Sequence, residues 1–272
     1  MNAYGTMPTL PPKSPKLFAL KNAIKYRLLR AAGIERIHIV GASRSGTTML
    51  CYAMACFDRT LLHDRETSIW NYPTLTDSLG LFANYVGRPS PSFLVTKRGA
   101  NWWRQERLER LATLTRRYGI FLIHIIRDPR DVLSSYHPLR ERQFYVHPDD
   151  WERSIQGASW LWRQLADYPY KLVLRYEDIV QDPEVTQALL CQLTGLRLRP
   201  GVVSWAQLKA NVEANQGLGD MVSYMHKLRN FDPESIGRWR TNPDAVAHIE
   251  QLRFASQHGV LLNEFMRIYG YE

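Results

Sequence analysis

After residue 36, short apolar runs alternate with stretches of helical periodicity. Ile37–Val40, Thr60–His63, Phe93–Thr96, Ile120–Ile126 and Lys171–Leu174 predict strands, several of them apolar on both faces as a covered parallel sheet requires. Helices are predicted at Thr47–Phe57, at Trp102–Tyr118 behind an Asn101 cap and stopped by Gly119, at Asp149–Asp167, and at Pro183–Leu193. Strand and helix in turn give a doubly wound, mainly parallel α/β sheet flanked by helices, with a ligand site at the carboxyl ends of the strands. No repeat or long linker divides it.

The start of the chain has a different pattern. Residues 1–16 hold Pro8, Pro11, Pro12 and Pro15 and read as an extended arm. From there Leu17, Leu20, Ile24, Leu28 and Ala31 recur at helical spacing, with Lys21, Lys25 and Arg30 falling mostly elsewhere on the wheel. We therefore expect a basic arm and amphipathic helix over residues 1–35, followed by one domain over 36–272.

Composition narrows the class. Hydrophobic residues are 45% and charged residues 22% of the 272, as in a globular chain with a sizeable core. The net charge of +9 points to an anionic partner. Seven basic residues against Glu35 place +6 of it in residues 1–36, so the basic segment is a candidate for peripheral contact with an anionic membrane. Three cysteines without a CxxC pair argue against a disulfide framework or zinc ribbon and fit a reducing, cytoplasmic setting. The apolar run Leu17–Leu20 is too short for a secretion signal, and Ile120–Ile126, interrupted by His124, is far short of the roughly 20 residues of a membrane span. The eight histidines are dispersed and no HExxH occurs, so no metal is expected.

The first chemical signal follows the first strand. Gly41-Ala42-Ser43-Arg44-Ser45-Gly46-Thr47-Thr48 has the strand–loop–helix setting and glycine spacing of a nucleotide P-loop, so the fold expected is P-loop NTPase-like. Thr47 stands where that loop has its lysine, which argues against triphosphate chemistry. Arg44 still supplies a cation. A second signal follows the strand ending at Ile126, where Arg127-Asp128-Pro129-Arg130-Asp131 places Arg127 at the carboxyl end of the sheet, with Asp128 as cap and Pro129 in a first helical turn.

Together these segments resemble the sulfotransferases that use 3′-phosphoadenosine 5′-phosphosulfate (PAPS). Arg44 to Thr48 matches that family's R-S-G-T-T loop, and Arg127 with Ser135 matches its R-D-P-R-D segment and following serine. Leu174-Arg175-Tyr176-Glu177-Asp178 resembles its L-R-Y-E-D run, and Ser235-Ile236-Gly237-Arg238-Trp239-Arg240 its C-terminal G-R-W segment. The resemblance covers residues 36–240. It implies that Arg44, Ser45, Gly46, Thr47 and Thr48 hold the phosphosulfate, that Arg127 and Ser135 hold the 3′-phosphate, and that Tyr176 and Arg238 are further nucleotide contacts. Sulfuryl transfer in this family uses no metal.

An alcohol acceptor needs a base within hydrogen-bond reach. Glu66-Thr67 matches, with one residue of slack, the glutamate and threonine that the tyrosylprotein sulfotransferases place after the loop; Asp64 and His63 share the segment as alternatives. The cytosolic branch instead carries a histidine after its third strand, where this chain reads Thr96-Lys97-Arg98-Gly99-Ala100. That departure favours a glutamate base and the tyrosylprotein, carbohydrate and bacterial branch, and Lys97 matches the lysine that assists the leaving oxygen. Trp70, Tyr72, Trp102 and Trp103 lie nearby and read as core packing, with stacking on an acceptor as the alternative. The expected partner is a hydroxyl-bearing acceptor, which could be a carbohydrate, lipid, phenol or small metabolite. The rival readings are a degenerate P-loop kinase or nucleotide hydrolase and a basic module binding nucleic acid or a membrane surface. The ordered motifs argue against nucleic acid.

Overall fold

The computed structural model describes residues 35–66, 93–136, 143–202, 204–214 and 230–272, and for residues 63–66, 212–214 and 255 the backbone alone. The predicted arm and helix of residues 1–34, together with Thr67, Trp70 and Tyr72, lie outside the described residues.

Five parallel strands, β1 (Glu35–Gly41), β2 (Thr60–Glu66), β3 (Phe93–Arg98), β4 (Phe121–Ile126) and β5 (Lys171–Arg175), form a sheet in the order β2-β3-β1-β4-β5. The chain runs outward from β1 to one edge and then to the other, so the order reverses between β1 and β4. A crevice at their carboxyl ends follows from that reversal. All six residues of β4 are buried, as in a strand covered on both faces.

Alternate strand residues feed different cores. Ile37, Ile39, Val95, Ile123 and Ile125 pack with Leu50, Ile179 and Leu190 from α1 (Thr47–Ala53), α5 (Tyr176–Gln181) and α6 (Pro183–Thr194). On the other face Val40 and Leu122 meet Leu108 and Leu161 from α2 (Gln105–Tyr118) and α4 (Pro148–Gln164). Ile126 joins a third cluster, in which α3 (Pro129–Leu133) packs through Val132 against Ile249 of α8 (Pro243–Ala255) and Phe265 of α9 (Gly259–Tyr269). The remaining helix, α7 (Leu208–Ala214), brings Leu208 to the first cluster. Among the described residues no helix is long and apolar enough to cross a membrane. Cys51 and Cys56 are small buried hydrophobes of α1 and the 3₁₀ turn after it.

Two predicted boundaries change for local reasons. Asn101 is not a cap: it takes the left-handed conformation at φ 55°, and its carbonyl accepts from Arg107 Nη1 at 2.7 Å. The turn that follows buries Trp102, whose indole N–H donates to the Gly41 carbonyl at 3.0 Å, and α2 begins only at Gln105. Trp102 is thus core and a support for the end of β1. The helix predicted to Asp167 ends at Gln164, because the Lys171 ammonium gathers the carbonyls of Leu165, Ala166 and Tyr168 and satisfies the helix end early.

Candidate active site

The loop after β1 takes its shape from residues with little freedom to be anything else. Ser45 donates its hydroxyl to the Ala42 carbonyl at 2.7 Å and its N–H to the same oxygen at 3.1 Å, so this buried serine shapes the turn. Arg44 has φ 68°. Gly46 stands before α1 at φ 104°, and a Cβ there would lie 2.6 Å from Tyr176 Cδ2. A side chain at position 46 would be strained by its backbone and would displace the Tyr176 ring. Thr47 is buried at the start of α1, whereas Thr48 faces open space.

Arg127, at the end of β4, is held from several directions. Its Nη2 donates to the Ser235 carbonyl at 2.6 Å and its Nη1 to the Arg44 carbonyl at 3.3 Å. Asp131 Oδ2 lies 3.7 Å from Nη2, and the guanidinium sits 4.2 Å above the Tyr176 ring. Asp128 caps α3 by accepting from the Arg130 N–H at 2.9 Å, as its place before Pro129 predicts.

The G-R-W segment is tied to the same corner. Asp131 accepts from the backbone N–H groups of Gly237 at 2.7 Å and Trp239 at 3.2 Å, and the Tyr176 hydroxyl meets Ser235 Oγ at 2.7 Å. Arg238 pairs with Asp232 at 2.6 Å. Ser135 donates its hydroxyl to the Asp131 carbonyl at 2.8 Å. Burial pushes the Asp131 carboxyl up from its ordinary pKa, with Arg127 and the two N–H donors opposing.

Arg44, Thr48, Arg127, Ser135, Tyr176 and Arg238 line one cavity of about 900 Å³, within the usual range of about 300–1,000 Å³ for ligand sites. Met49, Tyr52 and Leu208 make part of its wall apolar. Burial, and next the charge of Arg127, pull the Arg44 guanidinium below its ordinary pKa. Two guanidinium groups converging on partly desolvated space favour an anion between them.

The other predicted residues lie on the β3 side. Lys97 is only 4% exposed, which excludes a solvated strand-end lysine. In register it pairs with Ile39 of β1 and with Glu66 of β2, so it shares the sheet face that α1 covers. The pairing of β2 with β3 shifts between His63 and Glu66, and this irregularity places the Glu66 backbone beside Lys97. Neither Lys97 nor Glu66 lines the large cavity. A smaller hollow of about 170 Å³, which neither of them lines, is formed by Ser43, Gly99, Ala100, Tyr145, Asp150 and Ser154. Arg44, 5.9 Å from the centre of the Tyr145 ring, links the two flanks.

No local motif marks a role for Asp131, Asp232 or Asn230, which line the same cavity. Asp131 acts on N–H groups more than 100 residues away, a relation that no local motif displays. Among the described residues no three His, Cys, Asp or Glu side chains are grouped to hold a metal ion.

Comparison with solved structures identifies the fold first. The sulfotransferase domain from the curacin biosynthetic pathway matches with a TM-score of 0.57 at 17% identity, covering 80% of this chain and 97% of that one. The sulfotransferase domain from the Synechococcus PCC 7002 olefin synthase gives 0.52 at 17% identity, covering 82% and 96%. The chain thus has the P-loop-like α/β fold of the sulfotransferases. At the level of sequence, residues 119–200 match the sulfotransferase family, and human Sulfotransferase 2A1 is 27% identical over 150 residues, 47% of this chain. That match spans 52%, about half, of the human relative's length.

Proposed function

We propose that this protein transfers a sulfuryl group from PAPS to a hydroxyl of an acceptor. The observation that carries the reading is the convergence of Arg44 and Thr48, from the loop after β1, with Arg127 and Ser135, from the corner after β4, on one cavity. A ligand with two separated anionic groups satisfies both ends. An adenine nucleotide phosphorylated at both the 3′ and 5′ positions has that form, and the apolar wall offers a surface for its base. The fit extends to the loop, where a Cβ on Gly46 would intrude and where the first N–H groups of a helix have no partner within it. Arg127 also keeps a buried Nε without a hydrogen-bond partner.

PAPS, when bound, supplies the sulfuryl group and a phosphate leaving group. The loop N–H groups and the Thr47 and Thr48 hydroxyls stabilise charge where it develops, and Arg44 and Lys97 add positive charge. Glu66 takes the acceptor's proton. We place the acceptor on the β3 flank, where strand register sets the Glu66 backbone beside Lys97. A glutamate base puts the chain on the branch that includes the tyrosylprotein enzymes.

Calorimetry with 3′-phosphoadenosine 5′-phosphate (PAP), with AMP and with Mg²⁺-ATP tests the reading. PAP is expected to bind more tightly than AMP, and label from PAPS to pass to a hydroxyl acceptor. Binding of Mg²⁺-ATP without binding of PAP would make the protein a P-loop kinase or hydrolase. Salt-sensitive binding to nucleic acid or anionic vesicles, with no nucleotide site, would make it a binding module.

A further inference from the structure

Behind the cavity lies a closed ring of buried polar groups that never touches it. Glu177, at the start of α5, accepts from the Asp128 N–H at 2.9 Å through one oxygen and from the Tyr271 hydroxyl at 2.8 Å through the other. The Tyr271 carbonyl in turn accepts from Arg130 Nη2. Arg130 is clamped on the Asp128 carboxylate, with Nε 2.9 Å from Oδ1 and Nη2 2.8 Å from Oδ2. Asp128, Arg130, Glu177 and Tyr271 are each buried, and none of the four lines the cavity. The Arg175 guanidinium lies 4.7 Å from the centre of the Tyr271 ring, so the two carboxylates and two guanidinium groups balance.

The ring's members alternate with residues of the site. Asp128 follows Arg127, Asp131 follows Arg130, and Glu177 follows Tyr176, and these neighbours face the cavity. A movement of the Asp128 peptide therefore moves the root of Arg127, and a movement of Glu177 moves the ring on which Arg127 stacks. A buried carboxylate accepting two hydrogen bonds resists both movements, because losing either donor leaves it poorly satisfied. Burial already pushes the Glu177 carboxyl up from its ordinary pKa, and its two donors oppose that.

We infer that Tyr271 and Glu177 are positioning residues for the 3′-phosphate end of the nucleotide site, holding Arg127 in register with Tyr176. The inference rests on the nucleotide reading above and adds that selectivity for the 3′-phosphate is set in part by a tyrosine beyond α9. Tyr271→Phe is the informative variant, since it keeps the ring beneath Arg175 and the carbonyl that Arg130 uses, and deletes only the hydroxyl held by Glu177.

The experiment is titration calorimetry of PAP and AMP against wild type, Tyr271→Phe, Glu177→Gln and, as a stability control in the α2–α4 core, Ile120→Val. All are studied at a temperature where circular dichroism shows them folded. The preference of wild type for PAP over AMP is expected to fall about tenfold in Tyr271→Phe, to fall in the same direction in Glu177→Gln, and to stay within about twofold in Ile120→Val. An unchanged preference in either of the first two variants, or an equal fall in Ile120→Val, would overturn the inference while leaving the nucleotide site standing. Should Tyr271→Phe not fold, Glu177→Gln decides by the same ratio. A wild type that does not distinguish PAP from AMP would remove the underlying reading instead.

Discussion

On the β4 side of the loop after β1, Arg127 is gripped by two backbone carbonyls, a carboxylate and an aromatic face. On the β3 side, Lys97 and Glu66 are brought together by strand register, at the point where the pairing of β2 with β3 slips. The first arrangement is rigid and prepaid. A guanidinium fixed before its ligand arrives loses little entropy on binding, which favours affinity and selectivity. The second uses an irregular strand end, as active sites often do to redirect a side chain. On the proposed function, the difference gives binding to one flank and chemistry to the other, with the loop and Arg44 between them.

The most forceful way to test that division is Glu66→Gln. On the proposed mechanism it lowers turnover by roughly 100- to 10,000-fold, the usual worth of a general base, while calorimetry finds PAP bound as tightly as in wild type. A large loss of PAP affinity in this variant would mean that the β3 flank also binds the nucleotide, and the division would fail. Arg127→Ala is the converse and is expected to be smaller. Loss of a charge-assisted hydrogen bond is worth about 1.5–3 kcal/mol, to be read as weaker PAP binding with AMP binding little changed. If turnover fell at saturating PAPS while PAP affinity held, Arg127 would belong to the chemistry.

What the sequence discloses follows the same line. The five strands are legible to within a few residues because runs such as Phe121–Ile126 are apolar at nearly every position. Arg44 and Arg127 are legible because each sits in a contiguous motif between a strand and a helix. The α8–α9 pair escapes, since each helix buries a narrow stripe, Ala245, Ile249 and Leu252 in one and Leu262, Phe265 and Met266 in the other. The ring behind Arg127 escapes for a stronger reason. Its bonds join residues 49, 94 and 141 positions apart, and nothing in the Tyr269-Gly270-Tyr271 run signals that Tyr271 has a carboxylate partner. Motifs therefore display the atoms that meet a ligand better than the contacts that hold those atoms still.

The smallest expected effect concerns the strand that carries Arg127. His124 lies in β4, its ring centroid 5.8 Å from that of Trp102 and 5.3 Å from that of Trp162, and its buried Nε2 has no hydrogen-bond partner. On the β3 side His38 is buried too, but its Nδ1 is paired with Thr96 Oγ1 at 2.8 Å. Burial pulls the His124 pKa from its ordinary 6.5 down to about 4. The folded chain thus keeps a neutral imidazole at a pH where the unfolded chain takes up a proton. Its contribution to stability is complete above pH 6.5 and is lost as the pH falls toward 4. Between pH 7 and pH 5 that loss comes to about 2 kcal/mol. His124→Met fills similar space without a titrating group, so its urea unfolding free energy should fall over that span by about 2 kcal/mol less than that of wild type. Because His38 titrates alike in both proteins, it cancels in the difference. Parallel pH dependences would show that water reaches the imidazole, and that the β4 strand is less sealed than its burial implies.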